Sequence, residues 1–127
     1  MVTAPAVCHD QSVTVLIVDD HPSSRANARA LLEAEGFEVV GEASDGASAL
    51  RAAAELLPQL VLLDVQLPDL DGFEVAARLT NGGAGPAVVL VSSRDGSDFG
   101  PLVERSGARG FIPKAELSGA ALLSLLE

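Results

Sequence analysis

At 127 residues and 48% hydrophobic content, the chain suits one compact domain with a core that needs neither disulfides nor a structural metal. Its net charge of −10, without a Lys/Arg cluster and without Trp or Tyr, argues against direct nucleic-acid binding. Cys8 is the sole cysteine, which excludes an intrachain bridge, and neither a membrane-length apolar run nor a basic-then-apolar leader is present, so the expected location is the cytoplasm.

In chain order, residues 1–11 are mixed and Pro/Ala-containing, and read as a loose tail ahead of a domain at 12–127. Cys8-His9-Asp10 lies in that tail without further ligands nearby and reads as unstructured. Residues 13–18 (VTVLIV) are too continuously apolar for a half-exposed strand, and predict a buried parallel one. Pro22 and Ser23 open a helix with Ala28, Leu31 and Leu32 inward and Gly36 as its left-handed stop. Residues 38–43 (EVVGEA) form a weaker, charge-bearing strand nearer an edge. A helix follows at 45–57, capped by Ser44 or Asp45, with Ala49, Leu50, Ala53, Leu56 and Leu57 facing inward.

Residues 60–63 (LVLL) are a further buried strand ending at Asp64, and the turn LPDLDG leads to a short helix around 73–79. A flexible connection at 81–85 precedes another buried strand at 87–91. A helix near 98–105 ends at Gly107, a short strand occupies 110–112, and the last helix spans 117–126. That helix is apolar nearly all round (Leu117, Leu122, Leu123, Leu125, Leu126); most of these leucines are assigned to the core, and an exposed remainder would serve as a partner or homodimer surface. Strand–helix alternation of this kind predicts an α/β fold, a doubly wound parallel sheet with helices on both faces. Its site then lies at the carboxyl ends of the strands.

The residues at those ends carry the chemistry. The first strand ends in Asp19 and Asp20, the third in Asp64, the fourth in Ser92 and Ser93, and Lys114 follows the fifth. Singly, each has an ordinary explanation as a helix-terminus charge, a turn residue or a solvated group. Jointly, they place three carboxylates, a hydroxyl and an ammonium on one rim. Carboxylates held that close repel, and a hard cation such as Mg²⁺ offsets the repulsion. A carboxylate can accept a phosphoryl group as an aspartyl-phosphate, with a metal and a lysine neutralising the equatorial oxygens. Asp64, leaving a buried central strand, is the expected nucleophile. Asp19 and Asp20 would hold Mg²⁺ directly or through water, Lys114 would pair with phosphoryl oxygens, and the Ser92 hydroxyl would hydrogen-bond one of them.

Asp19-Asp20 after VTVLIV, Asp64 before LPDLDG, Ser92 after AVVLV and Lys114 after GFIP together resemble the response-regulator receiver domain over nearly the whole chain. The resemblance implies a flavodoxin-like five-stranded sheet of order 2-1-3-4-5. It implies phosphoryl transfer to Asp64 from a sensor histidine kinase or phosphotransfer protein, with Asp20, Asp64 and the Gln66 backbone carbonyl as direct metal ligands. It also implies a switch in which Ser92 moves toward the phosphoryl group and Phe111 turns into the vacated space, altering the surface near the fourth and fifth helices for a downstream protein. Gln66 and Arg94 would flank the phosphoryl group and set its lifetime. Such a domain catalyses only its own phosphorylation and dephosphorylation and is not otherwise an enzyme.

There are departures. Many receivers carry a proline directly after the lysine, with a cis bond; here Ala115 follows Lys114 and the proline is Pro113, so a trans bond is expected. Asp-Asp-His-Pro without Lys-Pro resembles the receiver half of regulators with a helix-turn-helix output domain, yet the sequence ends with the last helix, so either a stand-alone receiver or one truncated before an output domain is expected, the former preferred. An aspartyl-phosphate hydrolase of the haloacid-dehalogenase type would need an Asp where Gln66 stands. A flavodoxin-type carrier would need a hydroxyl- and glycine-rich phosphate loop where Asp19-Asp20-His21-Pro22 stands. The remaining alternative is a phosphorylation-independent receiver-like interaction module, against which the complete residue set argues.

Overall fold

Five β-branched or leucine-rich segments pair into one sheet. The computed structural model describes residues 13–80, 85–92, 103 and 105–126. The strands are β1 (Thr14–Val18), β2 (Glu38–Ala43), β3 (Leu60–Asp64), β4 (Ala87–Ser92) and β5 (Gly110–Pro113), in the order β2-β1-β3-β4-β5, all pairings parallel. The helices are α1 (Pro22–Ala34), α2 (Gly46–Leu56), α3 (Gly72–Thr80) and α4 (Gly119–Leu126). Residues 103, 105 and 106 are also helical, within the helix expected before β5. The tail with Cys8, residues 81–84 and most of 98–105 lie outside the described residues.

Strand alternation sends side chains to opposite faces. On one face Leu16, Val18, Val61, Leu63, Val88 and Leu90 pack with Ala49 and Ala53 of α2 and Val75 and Ala76 of α3. On the other, Val15, Ile17, Leu60, Leu62, Val89, Val91 and Ile112 pack with Leu32 of α1 and Leu122 of α4. Both faces are therefore covered, which is why β1, β3 and β4 read as continuous apolar runs. The edge strand β2 keeps two exposed glutamates, Glu38 and Glu42, and a register shift opposite Val15 and Leu16. Edge bulges of this sort discourage further strand pairing.

Caps set the ends of the helices. Gly36, at φ 93°, closes α1: its N–H donates to Glu33 O at 3.2 Å, and the Phe37 N–H donates to Leu32 O at 2.9 Å. Phe37 and Leu32 then bury together, completing a Schellman stop. Asp45, not Ser44, caps α2 by accepting from the Ser48 N–H at 2.7 Å.

Two expectations need correction. Leu56 and Leu57 do not face inward: they are 43% and 77% exposed. The helix stops before Pro58, and Leu57 takes a left-handed conformation (φ 50°) that turns it out of the apolar stripe. The last helix also begins later than Leu117. Lys114–Glu116 forms a 3₁₀ turn, Leu117 is extended, and Ser118 caps α4 by accepting from the Ala121 N–H at 3.0 Å. Within α4, Leu122 is buried and Leu123 is 47% exposed.

Candidate functional site

Asp19 directly follows β1, and Asp64 ends β3. Val18 of β1 lies opposite Leu63 of β3, so the two carboxylates emerge side by side at the carboxyl rim. Both are buried, at 4% and 3% exposure. Lys114, the first residue after β5, reaches back across the rim. Its Nζ donates to Asp64 Oδ2 at 2.9 Å and to Ser24 Oγ at 3.4 Å, and lies 2.8 Å from Asp19 Oδ2.

The second oxygen of each carboxylate is held by local backbone. Asp64 Oδ1 accepts from the Gln66 N–H at 2.9 Å, and Asp19 Oδ1 accepts from the His21 N–H at 2.9 Å. Asp20 differs: its Oδ1 is buried without a hydrogen-bond donor, and His21 Nδ1, 3.0 Å away, is not aligned to donate to it. Oxygens of Asp19, Asp20 and Asp64 and a ring nitrogen of His21 all lie within 4.8 Å of one another.

The electrostatics reflect crowding as well as pairing. Burial raises the Asp64 carboxyl above its ordinary value, and the Gln66 N–H and Lys114 offset this only in part. Burial works to lower the Lys114 ammonium, but its bonds to Asp19 and Asp64 outweigh that and raise it. The same ion pair thus holds the lysine charged while leaving the carboxylate short of compensation. One lysine against three carboxylates leaves room for more positive charge. An oxygen-rich donor set with an orphaned, buried carboxylate oxygen fits a hard divalent cation.

The other residues singled out from sequence lie around this centre. Ser92, 1% exposed, ends β4, where the preceding Val91 lies opposite Asp64. Strand alternation puts Ser92 on the face of Leu90. Phe111, opposite Leu90 in β5, is half-buried against that same cluster. Gln66 is exposed just beyond Asp64, and Arg94 lies outside the described residues. No cis peptide occurs among the described residues, so the Lys114–Ala115 bond is trans as expected.

Several contacts were not foreseen from sequence. Arg25 Nη1 donates to the Asp19 carbonyl at 2.6 Å, while its Nε donates to Glu42 Oε1 at 3.1 Å. Asp69 leaves the site altogether, accepting from the Gly46 and Ala47 N–H groups at 2.7 and 3.0 Å at the start of α2. Gly72 packs so closely on the backbone of Asp64 and Val65 that a β-carbon there would overlap it. The LPDLDG turn therefore seats the Asp64 strand end against two helices. A cleft of about 160 Å³ opens beside the site between Ser24, Asn27 and Leu31 of α1 and the Lys114–Leu117 segment.

A doubly wound sheet with buried, lysine-bridged carboxylates on its carboxyl rim defines the class. The chain belongs to the response regulator receiver domain family, whose description matches residues 15–126. It is 46% identical over 102 residues to the virulence-factor transcription regulator BvgA of Bordetella pertussis, covering 80% of this chain and 49% of that protein. It therefore spans about half the length of such relatives. The signal receiver domain of the response regulator NarL from Mycobacterium tuberculosis superposes with a TM-score of 0.79 at 36% identity, over 91% of this chain and 97% of that one. The receiver domain of RstA from Klebsiella pneumoniae superposes with a TM-score of 0.76 at 32% identity, over 89% and 94%. Among the described residues, no helix is long and apolar enough to cross a membrane.

Proposed function

We propose that Asp64 is the phosphoacceptor of this receiver domain and that Asp19, Asp20, Asp64 and the Gln66 carbonyl hold Mg²⁺ for the transfer. The observation that carries the reading is the buried Asp20 Oδ1 without a donor, set among the carboxylates of Asp19 and Asp64. An orphaned buried acceptor costs free energy unless a cation or water satisfies it. The RstA relative adds support, since its structure is of a BeF₃-activated form. Beryllium trifluoride has the tetrahedral shape and charge of a phosphoryl group on a carboxylate oxygen.

In this reading an Asp64 oxygen forms the new O–P bond while the P–N bond to the donor histidine breaks, and the departing imidazole keeps the bond electrons and takes a proton. Bound Mg²⁺ would neutralise charge building on the phosphoryl oxygens. Lys114 turns from its carboxylates toward one of those oxygens, and the Ser92 hydroxyl donates to another. Movement of Ser92 makes room for Phe111 on the shared sheet face, which changes the surface near the helices flanking β5 for a downstream protein. Gln66 and Arg94 govern how water reaches the aspartyl-phosphate. Substituting either is expected to change the dephosphorylation rate more than the phosphorylation rate.

The donor in the cell is a sensor histidine kinase or phosphotransfer protein, and the domain acts in the cytoplasm. Phosphoramidate, which carries a P–N bond, tests the transfer without the kinase. Intact mass after incubation is expected to show one phosphoryl adduct with Mg²⁺ and none with a chelator. Equal labelling in both would remove the metal from the reading; no labelling in either would favour the phosphorylation-independent module.

A further inference from the structure

We propose that Arg25 is a positioning residue for the metal-binding pair, fixing the Asp19–Asp20 peptide against the repulsion of the three clustered carboxylates; this rests on the reading of Asp19, Asp20 and Asp64 as cation ligands.

Arg25 stands in the first turns of α1, with its side chain 19% exposed. Its planar guanidinium joins three elements. Nη1 donates to the Asp19 carbonyl at the end of β1, at 2.6 Å, and Nε donates to Glu42 of the neighbouring β2, at 3.1 Å. Glu42 is itself held by Arg29 Nη1 at 2.7 Å. The Asp19 carbonyl belongs to the peptide group from which Asp20 continues. A bond to that oxygen therefore sets the plane that aims Asp20, the carboxylate with no donor of its own on Oδ1. On the preceding peptide, the Asp19 N–H donates to Ala43 O of β2 at 3.0 Å. Residue 19 is thus tied to the β2 edge through both its N–H and its carbonyl, the latter by way of Arg25.

The constraint matters because the chain leaves the sheet here. Like charges within 4.8 Å push the acidic pair outward, and beyond Val18 the strand pairings of β1 have ended, with the Asp19 N–H bond to Ala43 tying the chain to β2. A fork that bridges backbone and carboxylate is a geometry that arginine provides and lysine does not. Positioning and simple charge make opposite predictions. Removing a cation near a cation site strengthens metal binding by Coulomb's law, whereas loosening the ligands weakens it.

The test is Mg²⁺ affinity of the metal-free full chain by titration calorimetry, with Mg²⁺ alone as the probe and thermal melting beside it. Arg25→Gln is expected to weaken Mg²⁺ about tenfold, the low end for groups that orient metal ligands, while still melting cooperatively. Arg25→Lys keeps the charge and is expected to weaken binding to a smaller extent. Unchanged or tighter binding in Arg25→Gln overturns the proposal, and if that variant does not fold, unchanged binding in Arg25→Lys does so. Wild-type Mg²⁺ binding that Asp64→Asn abolishes upholds the underlying reading whatever Arg25 does; a wild type that binds no Mg²⁺ overturns both.

Discussion

The two ends of the sheet invert the usual distribution of side chains, in opposite senses. At the carboxyl rim, Asp19 and Asp64 are buried at 4% and 3% exposure, and the protein holds them there with Lys114 and two local N–H groups. At the amino rim, where α2 ends and β3 begins, Leu57 is 77% exposed in a left-handed conformation and Leu56 is 43% exposed. Buried charge is costly unless it is paired, so the carboxyl rim stores free energy that a cation can release. The amino rim stores strain only because a helix must stop before Pro58, and nothing in the chemistry of the rim depends on it. One inversion serves the site; the other is a by-product of chain reversal.

Substitutions at the two rims should separate these cases. Lys114→Met, which leaves Asp19 and Asp64 buried without their shared cation, is expected to destabilise the metal-free protein by about 2 kcal/mol in urea unfolding. That lies below the range for a fully buried pair because Lys114 is 23% exposed. At the opposite rim, Leu57→Gly is expected to stabilise by up to about 1 kcal/mol, since glycine relieves the left-handed penalty and little burial is lost. A loss of stability there would mean that Leu57 is part of a packed surface.

Asp64→Asn sharpens the contrast through pH. Because burial raises the folded-state carboxyl above its unfolded value, the protonated form is favoured on folding. That contribution is present below the unfolded pKa and is lost as pH rises through the folded one. Metal-free wild type should therefore lose stability relative to Asp64→Asn as pH climbs past the ordinary carboxylate range, and melting curves across that range check it. Added Mg²⁺ should raise the melting temperature of wild type more than that of Asp64→Asn, by mass action on the folded state.

Most of the fold was legible because its signals are local. Continuous apolar runs mark β1, β3 and β4 as strands buried on both faces, and Gly36 marks a helix stop by its own backbone freedom. Asp19, Asp20, Asp64, Ser92 and Lys114 stood out because each sits directly at a strand end, where a parallel sheet gathers them. What escaped depends on which element lies alongside which. Arg25 looks like any polar residue on an amphipathic helix until β2 brings Glu42 to it, and Asp69 reads as one more residue of the LPDLDG turn until α2 presents its free N–H groups. The one sequence signal of Arg25 is that it is a basic residue one turn into the helix that follows an acidic pair. Leu56 and Leu57 satisfied the helical period, but periodicity does not say where a helix ends. Periodicity likewise extends the last helix back to Leu117, although Ser118 is its cap.

In the proposed function this rim accepts a phosphoryl group on one residue, Asp64. The most direct test is intact mass and fragment mapping after incubation with acetyl phosphate and Mg²⁺, for wild type beside Asp64→Asn. A single phosphoryl adduct mapping to Asp64 is expected in wild type and none in the variant. An adduct of equal yield in Asp64→Asn, or one mapping to Asp19 or Asp20, would contradict the proposed function.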